Sequence, residues 1–205
     1  MDKPNRPHSP PQEDTGPSLR ARLIAVGAEL VAAEGVQALT LREIARRAGV
    51  SHGAPRRYFP THLTLLSAIA RQGFGELASH LAAETAGHPA EPRAQLDALA
   101  RAYLGFARTH PGMYELMFRH DLLESGELGL RDTSLPLFRT LAGLIAQVRT
   151  RPDDDPAALA GALWANLHGI AQLSRWGSLQ LATGTEDVGP LLRAALDAHL
   201  GPEPR

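Results

Sequence analysis

The 205-residue chain has no cysteine. Disulfides, thiolate metal sites and cysteine nucleophiles are therefore excluded. Lysine is almost as scarce: Lys3 is the single one, and arginine supplies the remaining positive charge. Without a Gly-Lys pair there is no phosphate-cradling P-loop. No uninterrupted apolar run approaches the roughly 20 residues that a membrane helix needs. The opening "MDKPNRPHSPPQEDTGPS" lacks the apolar core of a signal peptide. The expected location is the cytoplasm.

Enzyme motifs are missing too. No His-Glu-x-x-His run occurs, and the Gly-x-Ser-x-Gly spacing of Gly49, Ser51 and Gly53 follows a helical run rather than the strand that a nucleophile elbow needs. Gly73, Gly75 and Ala78 mimic a dinucleotide fingerprint, but no strand precedes them and the segment reads as helix. His110, His120 and Asp121 straddle a Pro-Gly break and make a poor metal set. The expectation is a non-enzyme without cofactor or metal, with a helical enzyme as the remote alternative.

Helical patterning is what the chain does have. Residues 1–17 are Pro-rich and polar and read as a disordered arm. From Ser18, a helix carries Leu19, Leu23, Val26, Leu30 and Ala33 on one stripe and stops at Gly35. Thr40 and Glu43 have the spacing of a capping box for a second helix, with Gly49 placed to end it. Ser51 is then the expected N-cap of a short third helix, with Pro55 in its first turn. Thr61 opens a long fourth helix to about residue 86.

Prolines punctuate the remainder. Helices are expected at about 92–109, after "HPG" at 110–112, up to about Arg149, from Asp155 and Pro156 to about Gln180, and over "GPLLRAALDAHL". The fold class is all-α.

Charge is unevenly spread. Over residues 17–62, seven arginines face three glutamates, which leaves +4 there and −5 on the rest of a chain of net −1. A basic module on an acidic body is the footprint of a nucleic-acid binder, or otherwise a solvated arginine face.

A capped helix, a tight Gly-Val-Ser turn and a short basic helix together make a helix-turn-helix. Only the start of the second helix must enter the major groove. His52, Gly53 and Ala54 would lie at the groove floor, where Ala54 can meet a thymine methyl. Arg56 and Arg57 can bind phosphate, or guanine bidentately. Thr40, Arg42 and Ser51 sit at or beside helix N-termini, where free amides suit phosphate.

The run "LTLREIARRAGVSHGAPRRYFPTHLTLLSAIA" resembles the DNA-binding domain of TetR-family transcriptional regulators over about residues 18–70. It carries the Ile-Ala-x-x-Ala-Gly-Val-Ser core, the Phe-Pro that follows the recognition helix and the leucines that open the next one. The resemblance implies a three-helix helix-turn-helix domain over 18–62 and a C-terminal helical ligand-binding and dimerisation domain over 63–201. It also implies a homodimer on a near-palindromic DNA operator, in most members a repressor released by a small molecule. Two positions depart from the family pattern: Arg56 stands where a tyrosine is usual and His62 where a lysine is usual, and both usual residues contact phosphate. Arg56 can replace that contact, and Tyr58 can offer its hydroxyl to one. His62 is a weaker cation than lysine.

"HPGMYELMF" and "WANLHGIAQL" resemble a TetR subgroup whose regulatory domain carries a Trp followed by His-Gly. Tyr103, Phe106, Met113, Tyr114, Met117, Phe118, Trp164 and His168 gather aromatic and thioether groups in a chain that is 5% aromatic. Such groups line adaptable small-molecule cavities, and equally fill ordinary cores. A mostly apolar effector is expected. The last two long helices are the expected dimer face, through Ala160, Gly161, Ala165, Leu191, Leu192, Ala195 and Leu196, although these could equally be intrachain core. A helix-turn-helix protein that binds DNA without a ligand is the alternative reading.

Overall fold

A computed structural model describes residues 18–88, 91–125 and 129–202. The arm expected over 1–17 lies outside the described residues. Among those described there are ten α-helices and no strand.

Helix α1 (Leu19–Glu34) starts where Ser18 Oγ accepts from the Ala21 amide at 3.3 Å. Its buried face is Leu23, Gly27, Leu30 and Val31. The expected stripe was turned too far, since Ala33 is exposed. The reason is Gly27, which counting apolar residues omits. It lies at the centre of the real face, where an added Cβ would collide with the Ile69 side chain.

Helix α2 (Leu41–Arg47) takes half of the expected capping box. Thr40 Oγ1 accepts from the Glu43 amide at 3.2 Å. The Glu43 carboxylate turns the other way, to Arg46 and Arg47. The helix ends on Gly49 at φ 66°, with Val50 N–H donating to the Ala45 carbonyl at 3.0 Å and Gly49 N–H to Arg46 at 3.2 Å. This pairing of the last carbonyls needs a left-handed residue that only glycine adopts cheaply.

Helix α3 (His62–Ala86) has the full capping box, in which Thr61 and Thr64 each accept from the other's amide at 3.0 Å. At 1.5 Å per residue its 25 residues span about 37 Å. One end buries Leu65, Leu66 and Ile69, and the other carries Phe74, Leu77 and Leu81 into the C-terminal part.

The rest of the core is built by α4 (Pro92–Thr109), α5 (Pro111–Met117), α6 (His120–Ser125), α7 (Leu130–Val148), α8 (Pro156–Arg175), α9 (Ser178–Thr183) and α10 (Gly189–Leu200). Two differences from expectation stand out. The short α6 is additional, and the helix expected to reach Gln180 ends at Arg175, where the chain turns through Gly177 at φ 72° into α9. Asp155 caps α8 as expected, accepting from the Ala157 and Ala158 amides at 2.9 and 3.1 Å.

A single apolar core runs from Leu23 of α1 to Leu200 of α10. The N-terminal module is therefore fused to the C-terminal part rather than tethered to it. One close seam is at Gly112, at the start of α5, where an added Cβ would strike the Val31 carbonyl oxygen of α1. No described helix is long and apolar enough to cross a membrane.

Candidate nucleic-acid interface and internal cavity

The segment after α2 is tighter than an α-helix. Residues 52–54 form turns, and Pro55–Arg57 form a single 3₁₀ turn. Proline explains this. Pro55 has no N–H to donate back to the Ser51 carbonyl, so the α ladder cannot start there. The chain makes i to i−3 bonds first, Ala54 N–H to the Ser51 carbonyl at 3.0 Å, Arg57 to Ala54 at 3.2 Å and Tyr58 to Pro55 at 3.0 Å, and a single i to i−4 bond, Phe59 to Pro55 at 2.8 Å, closes the turn. Ser51 makes no side-chain cap, contrary to expectation.

Pro55 and Phe59 are the two buried residues of this segment. Anchoring both turns Arg56, Arg57 and Tyr58 outward, with Tyr58 43% exposed. Ser51, His52 and Gly53 are exposed and Ala54 is half-buried. Nothing lies within 4 Å of a Cβ added to Gly53, so the backbone there is open to close approach. Arg20 joins this edge from the start of α1, its guanidinium 5.4 Å from the Phe59 ring centroid. No linear signal could have found it, because the two are 39 positions apart.

The arginines of the module fall into two groups. Arg46 and Arg47 donate to Glu43 at 2.6–2.8 Å, and Arg47 also pairs with Glu34 of α1. Hydrogen bonds from Arg46 and then Arg47 hold the Glu43 carboxyl far below the ordinary carboxylate range, at about 2. Arg42, Arg56 and Arg57 make no ion pair among the described residues. His62 is exposed, but its Nε2 is hydrogen-bonded to the Leu39 carbonyl, which ties the start of α3 to the linker before α2. The Thr40 hydroxyl is engaged in its cap.

In the C-terminal part a cavity of about 270 Å³ opens between α3, α4, α7 and α8. Of the eight residues expected there, Tyr103, Phe118 and Trp164 line it. Tyr114 and His168 stand behind them. Phe106, Met113 and Met117 are in the packed core instead, the two methionines clasping Gly73 of α3 and Phe106 stacking on His110 at 4.6 Å. Most of the remaining wall comes from Phe74, Leu77 and Leu81 of α3 and Leu135, Phe138 and Leu141 of α7. Their spacing is that of any helix core, so the sequence held no sign that they face a void. No charged side chain among the described residues lines this cavity.

Behind its wall, three polar atoms meet. Tyr103 Oη lies 2.9 Å from Tyr114 Oη and 3.0 Å from His168 Nδ1, and Tyr114 Oη lies 2.7 Å from the same nitrogen. Burial pushes the Tyr103 hydroxyl up to about 12 and the Tyr114 hydroxyl higher still, and pushes His168 below its ordinary value. Burial thus favours the neutral form of all three.

A second cleft, of about 320 Å³, lies between α4, α8, α9 and α10. Its rim carries both signs of charge, and these groups are largely committed: Arg175 to Glu115 at 2.7 Å, Asp187 to the Gly189 amide at 2.8 Å.

The residues expected at a dimer face divide. Ala160, Leu192 and Leu196 are at most 3% exposed because α8 and α10 pack on each other within the chain. Gly161, Leu191 and Ala195 are half-buried and Ala165 is exposed. The open face is turned by part of a helical turn, to Ala158, Ala162, Ala165 and Leu173 on α8 and Ala194 and Ala198 on α10.

Comparison with known proteins agrees with this architecture. Residues 23–69 match the family described as "Bacterial regulatory proteins, tetR family", and residues 96–199 match "Tetracyclin repressor-like, C-terminal domain". A protein of unknown function from Rhodococcus sp. RHA1 is 31% identical, with 92% of this chain and 97% of that one covered and a TM-score of 0.70. The multidrug binding protein EbrR, solved with imidazole, is 26% identical over 93% of this chain and 98% of its own, with a TM-score of 0.62. The nucleoid occlusion factor SlmA of Haemophilus ducreyi is 31% identical over 99 residues, so the match spans 48% of either chain, about half the length of the curated relatives. With a matching helix-turn-helix module and a matching regulatory half, the chain belongs to the TetR family of DNA-binding transcriptional regulators, which are not enzymes.

Proposed function

We propose that the protein is a homodimeric repressor that leaves a near-palindromic operator when a mostly apolar small molecule enters the 270 Å³ cavity. One observation carries this reading: α3 starts beside the exposed Arg56–Tyr58 edge and, 12 to 19 residues later, forms the cavity wall through Phe74, Leu77 and Leu81. In this reading residues 18–62 bind DNA and residues 63–201 bind ligand and dimerise.

His52, Gly53 and Ala54 face the groove floor. Arg42, Arg56, Arg57 and the Tyr58 hydroxyl take phosphates, with the free amides near Thr40 and Ser51 adding to them. His62 contributes by fixing α3 rather than by charge. The dimer forms on the Ala158–Leu173 face of α8 and the Ala194–Ala198 face of α10, whose small residues allow close helix approach. It sets two recognition segments about 34–36 Å apart, one DNA turn. EbrR, as a relative that binds small molecules, supports an effector for this chain too. A ligand that moves α3 also moves α5, whose Gly112 rests on Val31 of α1. It must bind the non-operator state more tightly, or it shifts nothing.

The test is selection of bound duplexes from a random library with the full chain, followed by titration of the selected complex with neutral arenes. A near-palindrome with half-sites one turn apart, released by an arene, is expected. Binding without sequence enrichment, and only at low salt, would overturn the operator reading.

A further inference from the structure

The outer face of α8 carries apolar surface that nothing in the chain covers. The helix buries Ala160, Leu163, Leu167 and Ala171. On its opposite side run Ala158, Ala162, Ala165, Gly169, Leu173 and Trp176, all within an arc of about 80° at 3.6 residues per turn. Trp176, the C-cap residue, is 65% exposed, and Leu173 is 39% exposed. The three alanines are exposed as well, and nothing lies within 4 Å of a Cβ added at Gly169. No Asp, Glu, Lys or Arg occurs between Asp155 and Arg175. A helix whose outer side faces only water ordinarily carries charge there. An uncharged face ending in an exposed tryptophan is instead the mark of a contact surface.

The face is also graded. Its first two-thirds are alanine and glycine, and its end is leucine and tryptophan, over about 27 Å from Ala158 to Trp176. A second copy laid antiparallel, about a two-fold axis level with Leu167, fits this grading. Trp176 then meets the partner's Ala158, Leu173 the partner's Ala162, and Gly169 the partner's Ala165. Each large side chain falls on a small one, and the symmetry makes every such contact twice. A parallel copy would set Trp176 on Trp176 and leave the alanines facing one another across a gap. Charge agrees with the antiparallel order. Asp155 and Arg175, at the two ends of α8, have opposite signs, so along this helix the pairing brings no like charges together. A foreign partner would need an uncharged face graded in the reverse order, which a second copy supplies by symmetry alone.

We infer that two copies of the chain pair through α8 in one antiparallel register, with Trp176 of each seated on Ala158 of the other. This rests on the homodimer reading above. It makes Trp176 the anchor of a contact whose other members are mostly small, in keeping with the weight that buried tryptophans carry at interfaces.

Sedimentation of the full chain over a concentration series tests the register by exchanging the two sizes. W176A should weaken the dimer about a hundredfold, because each dimer loses the anchor twice. A158W should weaken it as well, by setting tryptophan against tryptophan. A158W with W176A restores large against small and should return to within about tenfold of the wild type. A purely structural role for either position would make the double variant the worst of the three. The absence of cysteine allows a second measurement that does not depend on a tryptophan at the start of α8. A162C with L173C should close a disulfide between copies under mild oxidation. The two positions are eleven residues apart on one helix, too far to bridge within a chain. A wild-type dimer with no rescue in the double variant and no cross-link would overturn the register and leave the homodimer in place. A wild type that stays monomeric at every concentration would overturn the homodimer and the register with it.

Discussion

The two halves of this chain handle polar side chains in opposite ways. In the N-terminal module they are on the outside, and the question for each is whether it has a partner. Arg46 and Arg47 are tied to Glu43 and Glu34, while Arg56 and Arg57 are held out by the buried Pro55 before them and Phe59 after them. In the C-terminal half the informative polar groups are inside, and Tyr103, Tyr114 and His168 use one another up. The first half thereby presents unpaired cations outward, and the second keeps its buried polar groups neutral and paired. A residue's chemistry alone does not decide its role here; its nearest partner does.

The comparison is broken most strongly at the DNA edge. R56A with R57A should lower operator affinity by one to two orders of magnitude and reduce the salt slope by about 0.9 for each phosphate left without its arginine. R46A, from the paired group, should change the slope much less. Filter binding across a salt series checks both, and equal slopes for the two variants would erase the distinction between the groups.

Next in size is the seam between the halves. G112A puts a methyl against the Val31 carbonyl oxygen and should cost about 1–3 kcal/mol of stability, the usual range for overpacking. Chemical denaturation measures it. An unchanged midpoint would mean that α1 and α5 can slide apart freely.

Y114F removes the central member of the polar triangle and leaves a buried acceptor and donor short of a partner. About 1–3 kcal/mol should be lost, read in the same denaturation experiment, with wild-type DNA affinity in the absence of effector. A loss of operator binding at full stability would contradict the separation of the halves.

The smallest effect is at Glu43. Its carboxyl lies at about 2 when folded, held there by Arg46 and Arg47. A depressed carboxylate contributes stability that is present above its unfolded value of roughly 4.3 and is lost as pH falls from there through about 2. E43Q should match the wild type near pH 2 and be slightly less stable at neutral pH, so that the acid limb flattens, by a small amount because the group is on the surface. An identical acid limb would show that the pairs contribute nothing.

Local punctuation was well written in the chain. Thr40, Thr61 and Asp155 cap the helices they were expected to open, and Gly49 ends α2. These signals act within four residues, so a linear reading finds them. The failures share a cause. The stripe on α1 missed Gly27, the α8 and α10 dimer residues Ala160, Leu192 and Leu196 were already used in the chain, and Met113 and Met117 fill space around Gly73. Each depends on what another helix presents, which periodicity cannot report. Ser51 caps nothing because the Ala54 amide donates to its backbone carbonyl instead of its hydroxyl.

Composition, capping and the helix-turn-helix run determined by themselves the all-α class, the position of the DNA module and its excess of arginine, because those properties are set by neighbours along the chain. Which arginines stay unpaired, which aromatics border a void and which hydroxyls pair with one another were decided only in the tertiary structure. They depend on pairings between residues far apart in the chain, such as Arg47 with Glu34 and Tyr103 with His168, and the packing of α3 against both halves brings those pairings about.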